Sequence, residues 1–122
     1  MKLDRDCLRD VLLTIEEEVG FLETSSIQVL AECPRLTKYN KSDVYYCIKK
    51  LTEADFITEI SYLGGSDVSE LTFKGHEFLD TIRDGEVWDK TKAVATKVGG
   101  TSLAIMAEVA TSFIKTKLGF NV

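Results

Sequence analysis

The sequence predicts a mainly α fold with a small β-hairpin: a winged helix-turn-helix domain over residues 1–84, then a C-terminal helical pair over 85–122. Three observations carry this expectation. Apolar residues recur at the 3.6-residue helical period around Val11, Ile48 and Leu79. The run Phe56 to Leu63, the turn residues Gly64-Gly65-Ser66-Asp67 and the run Val68 to Leu71 form a hairpin pattern. The chain order of helix, short strand, helix, helix, hairpin, helix is that of a winged helix, with the third helix in the reading position ahead of the wing.

Asp4 is placed to cap the first helix, with Leu3 and Leu8 stapling its entry. That helix runs to about Val19 with Cys7, Leu8, Val11, Leu12, Ile15 and Val19 on one face, and Gly20 ends it. Ser-Ser-Ile-Gln-Val after Thr24 reads as a short strand or turn leading into a second helix that Pro34 limits. Asn40 or Ser42 caps the third helix, whose inner stripe is Val44, Cys47, Ile48, Leu51 and Ala54. Thr72 caps a fourth, with Phe73, Phe78, Leu79 and Ile82 facing inward. The predicted core of residues 1–84 includes Leu12, Ile15, Ile48, Leu51, Ile57, Phe78 and Leu79.

Beyond Gly85 the pattern exceeds a minimal winged helix. Glu86 to Val98 reads as a helix whose Val87, Trp88, Thr91, Val94, Ala95 and Val98 alternate with Lys90, Lys92 and Lys97, and Gly99-Gly100 breaks it. Thr101 or Ser102 then caps a last helix from Leu103 to about Leu118. Its apolar residues cover more than one face, so the pair is expected to pack internally or to join a second copy of the chain. Trp88, Leu103, Met106, Val109, Phe113 and Ile114 are the candidate oligomer interface. The weakly charged stretch from Gly99 to Ile114 is short for a bilayer span, which needs about 20 residues, so no membrane partner is expected.

With 122 residues, 44% of them apolar, the chain can bury roughly two-thirds of its unfolded surface and fold unaided. Three cysteines, Cys7, Cys33 and Cys47, lack paired spacing, which argues against a disulfide framework or a zinc ribbon. The charged opening MKLDRDCLRD does not resemble a signal peptide. The cytoplasm is therefore the expected location. His76 has no second histidine to share a metal, and the cysteines on inner stripes make poor nucleophiles. Neither a cofactor, a metal nor an enzymatic activity is expected.

Charge distribution supplies the functional lead. Between Arg35 and Lys50 stand Arg35, Lys38, Lys41, Lys49 and Lys50 against Asp43, a net +4, while the whole chain carries −5 and the remainder therefore −9. Such a lopsided segment marks a surface that meets something negative. Together with Tyr45 and Tyr46 on the outer side of the third helix, these five cations are the candidate nucleic-acid-binding residues. The hairpin opposes that reading, because Glu59, Asp67 and Glu70 provide no base where phosphate contacts are usual.

Three strings, MKLDRDCLRDVLLTIEE, VYYCIKKLTEADFI and SELTFKGHEFLDTIRDGEVWDKTK, resemble a family of small proteins of unknown function from phages and prophages of Gram-positive bacteria. The resemblance covers nearly the whole chain and implies a winged-helix fold and a mobile-element context, with no established activity or binding residues. The first expectation is a DNA-binding regulatory protein using the third helix. The alternative is a protein-interaction module that binds a host or phage protein, such as an inhibitor of a host defence system. DNA, a host or phage protein and a second copy of the chain are the candidate partners.

Overall fold

The computed structural model describes residues 1–120. Among them are six helices and three strands in the order α1 (Arg5–Glu18), β1 (Thr24–Ser26), α2 (Ile27–Ala31), α3 (Lys41–Glu53), β2 (Ile57–Tyr62), β3 (Gly65–Leu71), α4 (Phe73–Ile82), α5 (Gly85–Thr96) and α6 (Leu103–Lys117). The chain divides into two compact units, Met1–His76 and the residues from Glu77 on, with the division falling inside α4.

In the first unit α1 supplies the central face. Asp4, in extended conformation, accepts a hydrogen bond from the Cys7 amide at 3.1 Å and so starts the helix as expected. Cys7, Leu8, Val11, Leu12 and Ile15 are wholly buried, and α1 packs against both α3 and β3. From α3 come Val44, Cys47, Ile48 and Leu51, and from the strands Ile57, Val68 and Leu71. Removing a large side chain of this kind from water contributes roughly 1.5–3 kcal/mol. Leu36 is also fully buried, anchoring the turns between α2 and α3.

The hairpin gains a third strand. β1 pairs antiparallel with β3, Thr24 opposite Ser69 and Ser26 opposite Asp67, giving the sheet order β1-β3-β2. Ser26 then serves twice, since its hydroxyl accepts the Val29 amide at 3.1 Å and caps α2. The hairpin turn is Leu63-Gly64, with Tyr62 opposite Gly65, so Gly65, Ser66 and Asp67 belong to β3 rather than to the turn. Gly64 has φ +100, the sign a type II turn demands at its second central position. A bulge between Ile57 and Glu59 interrupts the β2–β3 ladder. At α3 the N-cap position is Asn40, without a side-chain capping bond.

The entry to α4 is closely built. Thr72 accepts the Gly75 amide at 3.0 Å as the expected cap and donates its own hydroxyl to the Asp55 carbonyl at 2.6 Å. Gly75 is buried against Phe56, whose carbonyl oxygen a Cβ at position 75 would overlap. Phe78, Leu79 and Ile82 are buried, but Phe73 is 79% exposed. At 100° per residue Phe73 lies opposite the stripe through Gly75, Phe78, Leu79 and Ile82, which corrects its inward assignment.

In the second unit α5 packs against α6. Asp84 accepts the Val87 amide at 3.0 Å, so α5 starts at Gly85. Val87, Trp88, Thr91 and Ala95 are buried, whereas Val94 and Val98 are exposed. Val94 flanks the buried stripe and Val98 lies past the helix end. Ser102 caps α6, which buries Met106 and Ala110. Its opposite side carries Ala104, Glu108, Thr111, Ser112 and Lys115, all exposed. This side keeps the helix from being apolar all round, although Ile105 beside it is 50% exposed. Lys117 reaches Asp84 at 2.6 Å and ties the end of α6 to the start of α5.

The packing of unit one predicts the cost of two substitutions. Leu51→Ala should lower stability by about 2–5 kcal/mol through its cavity. Gly75→Ala should also destabilise, because backbone rather than a flexible side chain must move. Chemical denaturation of the full chain checks both, and a Gly75→Ala protein as stable as the parent would contradict the close approach to Phe56.

Candidate nucleic-acid interface

The short α2 and the turns after it lead into α3 and set out the basic segment. Leu36 accepts from Tyr39 and donates to Cys33 through its backbone, at 3.1 and 2.8 Å. This carries Arg35 and Lys38 alongside the polar flank of α1. There Arg35 forks onto Glu17, its two guanidinium nitrogens 2.8 and 2.9 Å from the two carboxylate oxygens. The bidentate contact with Arg35 holds the Glu17 carboxyl below its usual range, and the same contact raises the guanidinium. Glu17, at the exposed end of α1, is thus tied to the segment that follows α2.

Lys38 is likewise engaged. Its ammonium lies 3.2 Å from Asp10 and 5.4 Å from the Tyr39 ring centroid. Asp10 is largely buried and accepts the Tyr39 hydroxyl at 2.6 Å. Burial first, and the Asp10 carboxylate second, push the Tyr39 phenol well above its ordinary value. Lys50 lies 2.8 Å from Glu53 and 5.3 Å from the Tyr46 ring centroid. The hydrogen bond from Lys50 is the main cause that lowers the Glu53 carboxyl, and the charge of Lys49 adds to it.

Of the five candidate cations, Lys41 and Lys49 alone have no ion pair among the described residues. Both are exposed, and Tyr45 and Tyr46 are half-buried between them. The structure therefore gathers Lys41, Tyr45, Tyr46, Lys49 and Lys50 on α3, and directs Arg35 and Lys38 to α1. The hairpin offers no cation. Asp67 instead accepts from the Tyr62 hydroxyl at 2.9 Å and the Thr24 hydroxyl at 3.3 Å, and Leu63 stands fully exposed at the tip.

The other reactive side chains are dispersed. Cys7 and Cys47 are buried together, and the contact with Cys47 and burial raise the Cys7 thiol. Cys33 is half-exposed and raised by burial. His76 lies on the surface, its Nδ1 3.7 Å from Glu16. No group of three or more His, Cys, Asp or Glu gathers to hold a metal among the described residues. No helix among those residues is long and apolar enough to cross a membrane. In the second unit Trp88 and Met106 are 2% and 1% exposed, covered by the chain itself, while Leu103, Val109, Phe113 and Ile114 are half-buried.

The model of a family described as Hypothetical protein (DUF2513) matches residues 2–102. The chain belongs to this family. The matched segment takes in α1 through α5 and stops before α6. A Haemophilus influenzae protein described as uncharacterized is similar, 30% identical over 123 residues, with 97% of this chain and 99% of that relative covered. No solved structure matches the chain.

Residues that sequence reasoning passed over are Phe21 and Leu22, 79% and 83% exposed in the turn before β1. The missed signal was available: two large apolar residues directly after a helix-ending glycine, outside every periodic stripe.

The Arg35–Glu17 contact has a pH signature. Because Glu17 is held lower in the folded chain than when unfolded, its contribution to stability is present above the ordinary carboxylate range and is lost as pH falls through the folded value. Carboxyl-detected NMR should show Glu17 titrating below the usual carboxylate range in the parent, and Arg35→Ala should return it to that range. An unchanged Glu17 titration in that variant would remove the contact from the account.

Proposed function

We propose that residues 1–84 form a winged-helix frame used as a non-enzymatic protein-interaction module, whose partner is a host or phage protein with a basic, nucleic-acid-binding groove. The observation that carries this reading is the fate of the basic segment. Arg35, Lys38 and Lys50 lie against carboxylates of the same chain, and the hairpin bears only acids. Exposed pairs of this sort add little stability, yet each cancels a charge that a phosphate would otherwise meet. With Lys41 and Lys49 left over, the basic segment presents far fewer cations than the 6–10 phosphate contacts that make DNA affinity strongly salt-dependent.

The non-enzymatic part of the proposal is supported by the separation of candidate groups, with Cys7 and Cys47 buried and His76 on the surface beside Glu16. The frame itself is supported by the order of elements and by α3 preceding a hairpin whose sheet is completed by β1. A phage or prophage setting follows from the sequence resemblance and belongs to the same proposal. One observation favours DNA binding as a second reading: Lys41 and Lys49 remain exposed on the helix that winged helices place in the major groove.

Affinity capture from host lysate, with and without nuclease, separates the two. The proposal expects a specific protein retained after nuclease treatment and unaffected by Lys41→Ala/Lys49→Ala. Loss of all retained protein on nuclease treatment, together with duplex binding that the same double substitution abolishes, would overturn it in favour of DNA.

A further inference from the structure

We propose that the α1–β1 turn, with Phe21 and Leu22 at its tip and Phe73 near it, is the docking surface for that basic partner, inserting its apolar side chains into a pocket rimmed by cations. The proposal rests on the protein-interaction reading and names the surface that carries it.

The turn is ordered and unusual. The Glu23 amide donates to the Gly20 carbonyl at 3.0 Å, and the Gly20 amide donates to the Glu23 carboxylate at 2.8 Å. Between these ends Leu22 has φ +61, a left-handed conformation that glycine and asparagine adopt readily and leucine rarely. A leucine there is favoured neither by its backbone nor by packing, since it is 83% exposed. Strain and exposure in one defined turn are the combination found where a side chain is held for a partner.

Phe73 lies at the same end of the unit. The register of Thr24 opposite Ser69 sets the start of β1 beside the end of β3, from which Thr72 leads into α4. One turn further, His76 meets Glu16 near the end of α1. Phe21 and Leu22, adjacent in the turn, leave on the order of 300 Å² of apolar surface in water, enough to mark an interaction site, and Phe73 adds to what this end of the unit exposes.

The surroundings choose the occupant. No lysine or arginine occurs between Arg9 and Arg35, while Glu16, Glu17, Glu18 and Glu23 flank the apolar pair in sequence and Glu23 closes the turn on the Gly20 amide. Glu17 faces Arg35 and Glu16 faces His76, whereas Glu18 and Glu23 are exposed. The nearest cation next to Phe73 is Lys74, whose ammonium lies over the Phe56 ring at 5.6 Å. An apolar tip within an acidic frame repels nucleic acid and anionic lipid and complements a basic protein surface.

The full chain, labelled with ¹⁵N, would be titrated with an amphipathic Lys/Leu helical peptide, its Glu/Leu counterpart, and phosphatidylcholine vesicles. The Lys/Leu peptide should shift the amides of residues 20–23 and 73, with affinity falling as salt rises. Phe21→Ser/Leu22→Asn should weaken it at least tenfold while leaving the thermal midpoint equal or higher, because asparagine relieves the left-handed backbone. Shifts centred on α3 or the hairpin, no shifts at all, equal binding of the Glu/Leu peptide, or binding to vesicles instead would each overturn the assignment. Capture from nuclease-treated lysate separates this from the parent reading. A partner that the double variant retains refutes this surface alone, and no partner for the parent chain refutes the interaction reading itself.

Discussion

The structure of the first unit depends on α1 being packed on two sides at once, by α3 and by β3. Burial of Cys7, Leu8, Val11, Leu12 and Ile15 fixes the rotation of this helix about its axis. Once that rotation is set, the positions of its polar residues are set as well. Asp10, Thr14 and Glu17 fall three and four residues apart on one flank, and the turn segment carrying Arg35 and Lys38 runs beside it. The two ion pairs are therefore a consequence of core packing, with Glu17 meeting Arg35 and Asp10 meeting Lys38 two helical turns apart. A segment that is basic in the linear sequence becomes close to neutral over that part of the folded surface.

This explains why the fold was more legible than the site. Helical stripes are local: the spacing of Val44, Cys47, Ile48 and Leu51 reports a buried face without knowledge of what covers it, and Asp4, Thr72 and Ser102 reveal themselves as caps by standing just before such stripes. The short strand after Thr24 is legible as such, but its place in the sheet is not, because that rests on the distant register with β3. The hairpin turn was misplaced by the Gly64-Gly65 pair, since either glycine can take a positive φ and sequence alone does not say which does. Phe73 was drawn inward by its hydrophobicity although its phase on α4 points it outward. Pairing of Arg35 with Glu17 spans 18 positions in sequence, and no periodicity rule reaches that far.

The same contrast bears on function. A count of cations in a window treats each as available, whereas the geometry sorts them into those facing carboxylates of their own chain and those facing solvent. Lys41 and Lys49 remain, on a helix whose outer side also carries two half-buried tyrosines. Against this modest positive face stands a turn with a strained leucine and an acidic frame. In the second unit the same sorting applies to apolar residues: Trp88 and Met106 are covered by the chain itself, Leu103, Val109, Phe113 and Ile114 are half-buried, and Ile105 and Leu118 stay exposed.

The central claim is that acids of the chain itself neutralise the basic segment, and the salt dependence of duplex DNA binding tests it most directly. Affinity for a random duplex would be measured from about 20 to 200 mM salt, a range over which phosphate contacts dominate the change, for the parent and for Glu17→Gln/Glu53→Gln. The account predicts a parent slope of magnitude no greater than about two, and an increase of about two once Arg35 and Lys50 are released. A parent slope of about six or more, or one that the double substitution leaves unchanged, would contradict it.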